Sequence, residues 1–212
     1  MRGTHIIILP GGGYAVHAEH EGEPVARWLL DAGMSASVFD YPLQQRHPIP
    51  LDALRDEIGR RRAAGASRIG LMGFSAGGHL AGLAALEPGA SRGQRVQFAV
   101  LGYAITSMQT ETYRPARLIL LGENASPQLR RATSLDALVT PEAPPFFLWH
   151  TAEDPYVPPE HTYRLAGALA RSAVPHAAHV FAHGPHSLGL ARGAGDAENW
   201  TGMAARWIRE QL

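Results

Sequence analysis

Residues 68–77 read Arg-Ile-Gly-Leu-Met-Gly-Phe-Ser-Ala-Gly. An apolar run of strand length ends in Gly-x-Ser-x-Gly and passes directly into a helix-forming stretch. A chain with this feature must end a buried strand, turn sharply and start a helix within a few residues. The serine at such a turn takes a strained backbone conformation, and its hydroxyl stands clear of the sheet edge. A Cβ at Gly73 or Gly77 would crowd the turn. The competing reading is a glycine-rich turn with an incidental serine, and the rest of the chain has to decide between them.

The surrounding pattern alternates short apolar runs with amphipathic stretches. Strands are predicted over His5–Leu9, Ser35–Phe39, Arg68–Met72, Val96–Leu101, Pro145–His150 and His179–Phe181. Most of these runs are continuously apolar, as in strands covered on both faces of a parallel sheet. Helices are predicted over Pro24–Ala32, Leu51–Ala64, Gly77–Leu86, Pro159–Arg171 and Ala197–Glu210, with short helices at Pro115–Leu121 and Pro127–Ala132 inside an irregular segment spanning Thr106–Glu142. Strand–helix alternation predicts an α/β fold, with about six mainly parallel strands and helices on both faces. At 212 residues, with no linker or repeat, the chain suits a single domain over 1–212.

Composition narrows the chemistry. There is no cysteine, which excludes disulfides, thiolate catalysis and Cys-ligated metal. Nineteen basic residues balance nineteen acidic ones, so nothing points to nucleic acid or an anionic membrane as partner. No stretch reads as a membrane span or a signal peptide, so the expected compartment is the cytoplasm. Oligomeric state is not legible from the sequence.

In an open α/β sheet, ligands bind at the carboxyl ends of the strands. If Ser75 is a nucleophile, its helpers should follow strands too. A serine hydroxyl needs an imidazole to accept its proton, and the imidazole needs a carboxylate to fix its tautomer. The acid candidate is Asp154, after the fifth predicted strand, with Glu153 as rival. The shorter carboxylate beside Pro155 is the better fixed. The base candidate is His186, with His183 as rival, because the Gly184-Pro185 turn can present His186 over the sheet edge. An oxyanion hole requires backbone N–H donors. One is assigned to Ala76, the residue after the serine, and the other to Gly12 or Gly13 in the glycine run after the first strand. Tyr14 is assigned to substrate binding, with plain packing as the alternative. His17, Glu19 and His20 read as a solvated loop, and His79 as a supporting helix residue. His176 and His179 are three apart on a predicted strand and face opposite sides, against joint metal ligation. A dinucleotide site is excluded because no Gly-x-Gly-x-x-Gly fingerprint is present. Neither metal nor cofactor is expected.

Elbow, glycine loop, acid and histidine thus follow strands in the required order. The carrying stretches are Leu9-Pro10-Gly11-Gly12-Gly13-Tyr14, Gly73-Phe74-Ser75-Ala76-Gly77-Gly78-His79-Leu80, Leu148-Trp149-His150-Thr151-Ala152-Glu153-Asp154-Pro155-Tyr156-Val157-Pro158 and Gly184-Pro185-His186-Ser187-Leu188-Gly189. With them the chain resembles the α/β-hydrolase superfamily, and more narrowly its acetyl esterase/lipase and xylan-esterase-like branch. The resemblance implies Ser75 as nucleophile, Asp154 as acid and His186 as base. It implies cofactor-free hydrolysis of small-molecule esters, often acetyl groups on sugars. Two departures stand out. Pro10 precedes the glycines where many lipases have histidine, and the chain begins at what should be the family's third strand. No insertion is long enough for a full lid domain, so an open site for short acyl groups is expected. A peptidase or amidase with the same residues and a non-catalytic binding domain are the alternatives.

Overall fold

The computed structural model describes residues 3–212. Six strands form one sheet: β1 (Thr4–Leu9), β2 (Ser35–Val38), β3 (Arg68–Phe74), β4 (Phe98–Gly102), β5 (Phe146–Thr151) and β6 (His176–Phe181). Their order is β2-β1-β3-β4-β5-β6, and every adjacent pair is parallel. The apolar runs explain the centre of the sheet. Ile6 to Leu9 in β1 and Ile69 to Phe74 in β3 are buried throughout, because helices cover both faces.

One face carries α1 (Glu23–Asp31) and α8 (Trp200–Glu210), whose Val25, Leu29, Trp200 and Ile208 pack on Ile6, Ile8, Phe74 and Phe147. The other carries α2 (Ile49–Ala63), α3 (Ser75–Leu86) and α7 (Glu160–Arg171), whose Leu54, Ile58, Leu80 and Leu165 pack on Ile7, Leu71, Leu101 and Leu148. Each fully buried side chain of this kind contributes about 1.5–3 kcal/mol of transfer free energy.

Several boundaries differ from expectation. β6 starts at His176, because backbone pairing to β5 continues through the polar residues His176 and His179 of this edge strand. β4 starts at Phe98, two residues late; the preceding Gln97 turns its side chain to accept from the Ile69 N–H. β3 runs to Phe74 and α3 begins at Ser75, so no linker separates them. The irregular segment holds α4 (Arg114–Leu121), α5 (Pro127–Ala132) and a four-residue α6 (Leu135–Leu138) that periodicity is too short to reveal. Among the described residues, no helix is long and apolar enough to cross a membrane.

The strand order changes direction between β1 and β3. Chain connections leave that point in opposite senses, and a crevice opens above the carboxyl ends of the two strands. Leu9 pairs with Gly73 there, which sets the glycine loop beside Ser75.

Candidate active site

Ser75 is the first residue of α3 and has φ +51°, a conformation that costs a non-glycine residue energy. The two flanking glycines make room for it in different ways. A Cβ on Gly73 would lie 2.4 Å from the Gly77 carbonyl oxygen, within the turn itself. A Cβ on Gly77 would lie 2.1 Å from the Leu9 carbonyl oxygen, so the second glycine is demanded by β1 rather than by the turn.

The loops after β5 and β6 meet over this elbow. The Ser75 hydroxyl lies 2.9 Å from His186 Nε2, and His186 Nδ1 lies 2.5 Å from Asp154 Oδ2. Because the carboxylate only accepts, Nδ1 carries the proton and Nε2 is free to accept from the serine. Asp154 is fixed from every side. Its Oδ1 accepts from the N–H groups of Tyr156 and Val157, each at 2.9 Å, and its Oδ2 also accepts from His150 Nε2 at 3.2 Å. Burial pushes the Asp154 carboxyl up, but the hydrogen bonds from His150, His186 and Val157 outweigh it and hold it well below the usual carboxylate range. His150 is itself buried and accepts from the Thr162 hydroxyl at 2.8 Å.

The rival residues also find each other. His183 Nδ1 lies 2.9 Å from Glu153, which accepts from the Gly184 N–H as well, and both side chains are exposed at the surface.

Gly12 and Gly13 line the same cleft as Ser75 and His186, together with Ala15, Val16, Tyr113, Pro115, Tyr156 and Ser187. The cleft measures about 350 Å³. The Gly11 N–H is already committed to Glu21, at 2.7 Å. Among the described residues, the Gly12 and Gly13 amides have no hydrogen-bond partner. No side chain caps the start of α3, where the Ala76 amide lies. A hydroxyl, an imidazole and a carboxylate in this sequence can pass a proton, and free amides on the same cleft can receive a negative oxygen.

Tyr14 departs from its expected role. Its ring is fully buried, and its hydroxyl donates to His79 Nδ1 at 2.7 Å instead of facing the cleft. Burial pulls His79 down to about 4, so the ring stays neutral and its Nε2–H donates to the Thr133 carbonyl at 2.8 Å. Tyr14 therefore packs, and ties the glycine loop to α3 and to the segment before α6.

The sequence reading passed over Glu21, which sits within the polar string His17-Ala18-Glu19-His20-Glu21-Gly22-Glu23. It is fully buried behind the site. Its Oε1 accepts from the Tyr103 hydroxyl at 2.8 Å and from the Ser187 hydroxyl at 2.7 Å. Tyr103 was missed too. It lies edge-on between the Trp149 ring, with centroids 4.9 Å apart, and the His186 ring at 5.0 Å. Burial, and after it the Glu21 charge, push the Tyr103 phenol far up, so its O–H remains a donor. The one available signal for Glu21 was its place a few residues after the glycine loop, which a charged residue in a polar string does not distinguish.

The sequence profile of the prolyl oligopeptidase family matches residues 53–212. The chain is 36% identical to the acetyl ester-xyloside bifunctional hydrolase from Caldicellulosiruptor lactoaceticus, with a TM-score of 0.93, covering 99% of this chain and 83% of that one. It is 31% identical over 207 residues to endo-1,4-beta-xylanase B of Butyrivibrio fibrisolvens, and 32% identical over 117 residues to an acetylxylan esterase of Xylanibacter ruminicola. These matches cover 88% and 50% of this chain, but it spans only 32% and 23% of those two proteins. The chain belongs to the prolyl oligopeptidase family, within the α/β-hydrolase fold.

Proposed function

From that membership, we propose that the chain is a serine esterase that removes short acyl groups, acetyl above all, from esters of bulky alcohols such as carbohydrates. The observation that carries this reading is the 2.9 Å contact of the Ser75 hydroxyl with an imidazole whose other nitrogen is held at 2.5 Å by a buried carboxylate.

Ser75 Oγ attacks the ester carbonyl carbon while its proton passes to His186 Nε2. The carbonyl electrons move onto oxygen, where the amides of Ala76 and of Gly12 or Gly13 stabilise them. Each such donor lowers the barrier by about 3 kcal/mol. Asp154 stays ionised and stabilises the imidazolium. Collapse of the intermediate breaks the bond to the alcohol, which takes the proton from His186. Water then attacks the acyl-serine, His186 takes its proton and returns it to Ser75, and the acid leaves. No metal or cofactor enters these steps.

The cleft supports the substrate class. Its volume and open mouth suit a short acyl group and leave a large alcohol outside. Tyr156 and Tyr113 stand at its rim, 57% and 38% exposed, with their rings edge-on at 5.8 Å. Exposed aromatic faces with hydroxyl edges match the apolar faces and polar rims of sugar rings. The acetyl-ester and xylan relatives point the same way.

Ser75→Ala should abolish turnover of p-nitrophenyl acetate and labelling by a fluorophosphonate probe; retained turnover overturns the mechanism. An acyl series from acetyl to octanoyl should decline steeply with length, and acetylated xylo-oligosaccharides should be cleaved. The family to which the chain belongs favours a second reading, amide or peptide hydrolysis with the same residues. Faster cleavage of aminoacyl p-nitroanilides than of acetyl esters would establish it.

A further inference from the structure

Glu21 is a fully buried carboxylate that is not part of the proton-passing set. It receives three donors from three separate parts of the chain: the Gly11 N–H of the glycine loop, the Ser187 hydroxyl next to His186, and the Tyr103 hydroxyl after β4. Tyr103 in turn accepts from the Gly189 N–H at 2.8 Å, and its ring lies against the His186 ring. The preceding residue adds a further tie, because His20 Nε2–H donates to the Ser187 carbonyl at 2.8 Å. The short turn Glu19–Glu21 therefore grips the histidine loop through both backbone and side chain. Gly11 is packed as closely, since a Cβ there would lie 2.7 Å from Glu21 Oε2 and 2.9 Å from Ser75 Cβ. A buried carboxylate is costly unless its oxygens are fully engaged. A fold needing only a filled core would place an apolar residue here.

We infer that Glu21 is a positioning residue that fixes the oxyanion loop and the histidine loop to one another, so that the Gly12 and Gly13 amides and His186 are held in register over Ser75. The inference rests on the esterase reading. It assigns to a single side chain the relative placement of two groups that act together only when the tetrahedral intermediate forms. Loss of Glu21 should therefore lower kcat and leave KM for a small ester almost unchanged.

The test uses the full chain and p-nitrophenyl acetate, with active sites counted by the burst of a fluorophosphonate probe and assays run well below each variant's Tm. Glu21→Ala should lower kcat per titrated site about 100-fold, the effect of a small misplacement of reacting groups. Glu21→Gln keeps the volume and one carbonyl for Gly11, and should recover part of that loss, to about 10-fold below wild type. Tyr103→Phe and Ser187→Ala each remove one donor to Glu21, the former also the acceptor of the Gly189 N–H, and each should cost less than Glu21→Ala, with KM within about twofold throughout. If Glu21→Ala does not fold, the other three variants carry the test. A lower Tm with unchanged kcat per titrated site overturns the inference and leaves Glu21 a packing residue. Ser75→Ala separates the two levels. If it is inactive while the Glu21 variants match wild type, only this inference falls; if it is active, the esterase reading falls first.

Discussion

Two acid–histidine pairs bridge the same two loops, one residue apart on the acid side and three apart on the histidine side. Asp154–His186 and Glu153–His183 have similar contact distances, 2.5 and 2.9 Å. Their surroundings differ. The side chains of the first pair are 0% and 12% exposed, and those of the second 58% and 83%. Asp154 is held by two backbone amides and a second histidine, whereas Glu153 adds only the Gly184 amide. Only His186 has a hydroxyl on its far nitrogen. On the proposed mechanism, a carboxylate beside an imidazole is therefore not in itself a proton-passing device. Fixed geometry, exclusion of water and a third group at the other end make the difference.

The sharpest way to break this comparison is to neutralise each acid in turn. Asp154→Asn should lower kcat for p-nitrophenyl acetate by about 10⁴, because the imidazole loses its tautomer and its counter-charge. Glu153→Gln should leave it within about twofold, since exposed ion pairs contribute little. A loss at Glu153 equal to that at Asp154 would erase the distinction. A smaller effect is expected from the support behind Asp154. The double variant His150→Phe, Thr162→Val removes the His150 N–H shared by the carboxylate and the Val157 carbonyl, at 3.2 and 2.9 Å, without leaving an unpaired hydroxyl, and should lower kcat about 10-fold. Unchanged kcat would show that the backbone amides alone hold the acid.

The remaining effects concern pH and are read in stability. Asp154 titrates below its ordinary 3.8, so its contribution to stability is present above that value and lost as pH falls through its depressed pKa. The hydrogen bond that His183 donates to Glu153 raises the pKa of His183 above 6.5, so that pair's contribution is present below 6.5 and fades as pH rises through the raised value. His79 has the opposite sign. Its pKa of about 4 lies below the ordinary 6.5, so stability falls as pH drops from 6.5 toward 4, by on the order of 3 kcal/mol. Thermal melts of wild type and His79→Gln across this range check it. The variant should start lower at neutral pH and lose less on acidification.

The legible and illegible residues divide by how local their signals are. Ser75, the glycine loop and the strand–helix alternation announce themselves in short patterns of residue type. Asp154 and His186 could be preferred over Glu153 and His183 through the turns that carry them. The structure brings the preferred residues to the elbow and the rivals to each other. Tyr14 was assigned the wrong surroundings and Glu21 drew no assignment for one reason, that burial is a property of the whole fold. An aromatic ring beside a glycine loop reads as a lining residue until α3 is packed over it. A glutamate among polar neighbours reads as solvated until the loop after β6 closes on it. The early start of β6 was hidden because backbone pairing sustains an edge strand whose side chains are polar.

The sheet order has a further consequence. β2, β1 and β3 come from the first part of the chain, while β4, β5 and β6 come from the rest, and within the sheet the two halves pair only along β3 and β4. The cut between them falls in the largely exposed stretch 88–95. Ser75 with its glycine loop lies on one side, and Asp154 with His186 on the other. On the proposed esterase reading, a chain divided there yields two fragments, one with a serine that nothing activates and one with an activator that has no serine. Ester cleavage by the mixed fragments would then be a direct readout of reassembly, which makes this architecture a natural split reporter.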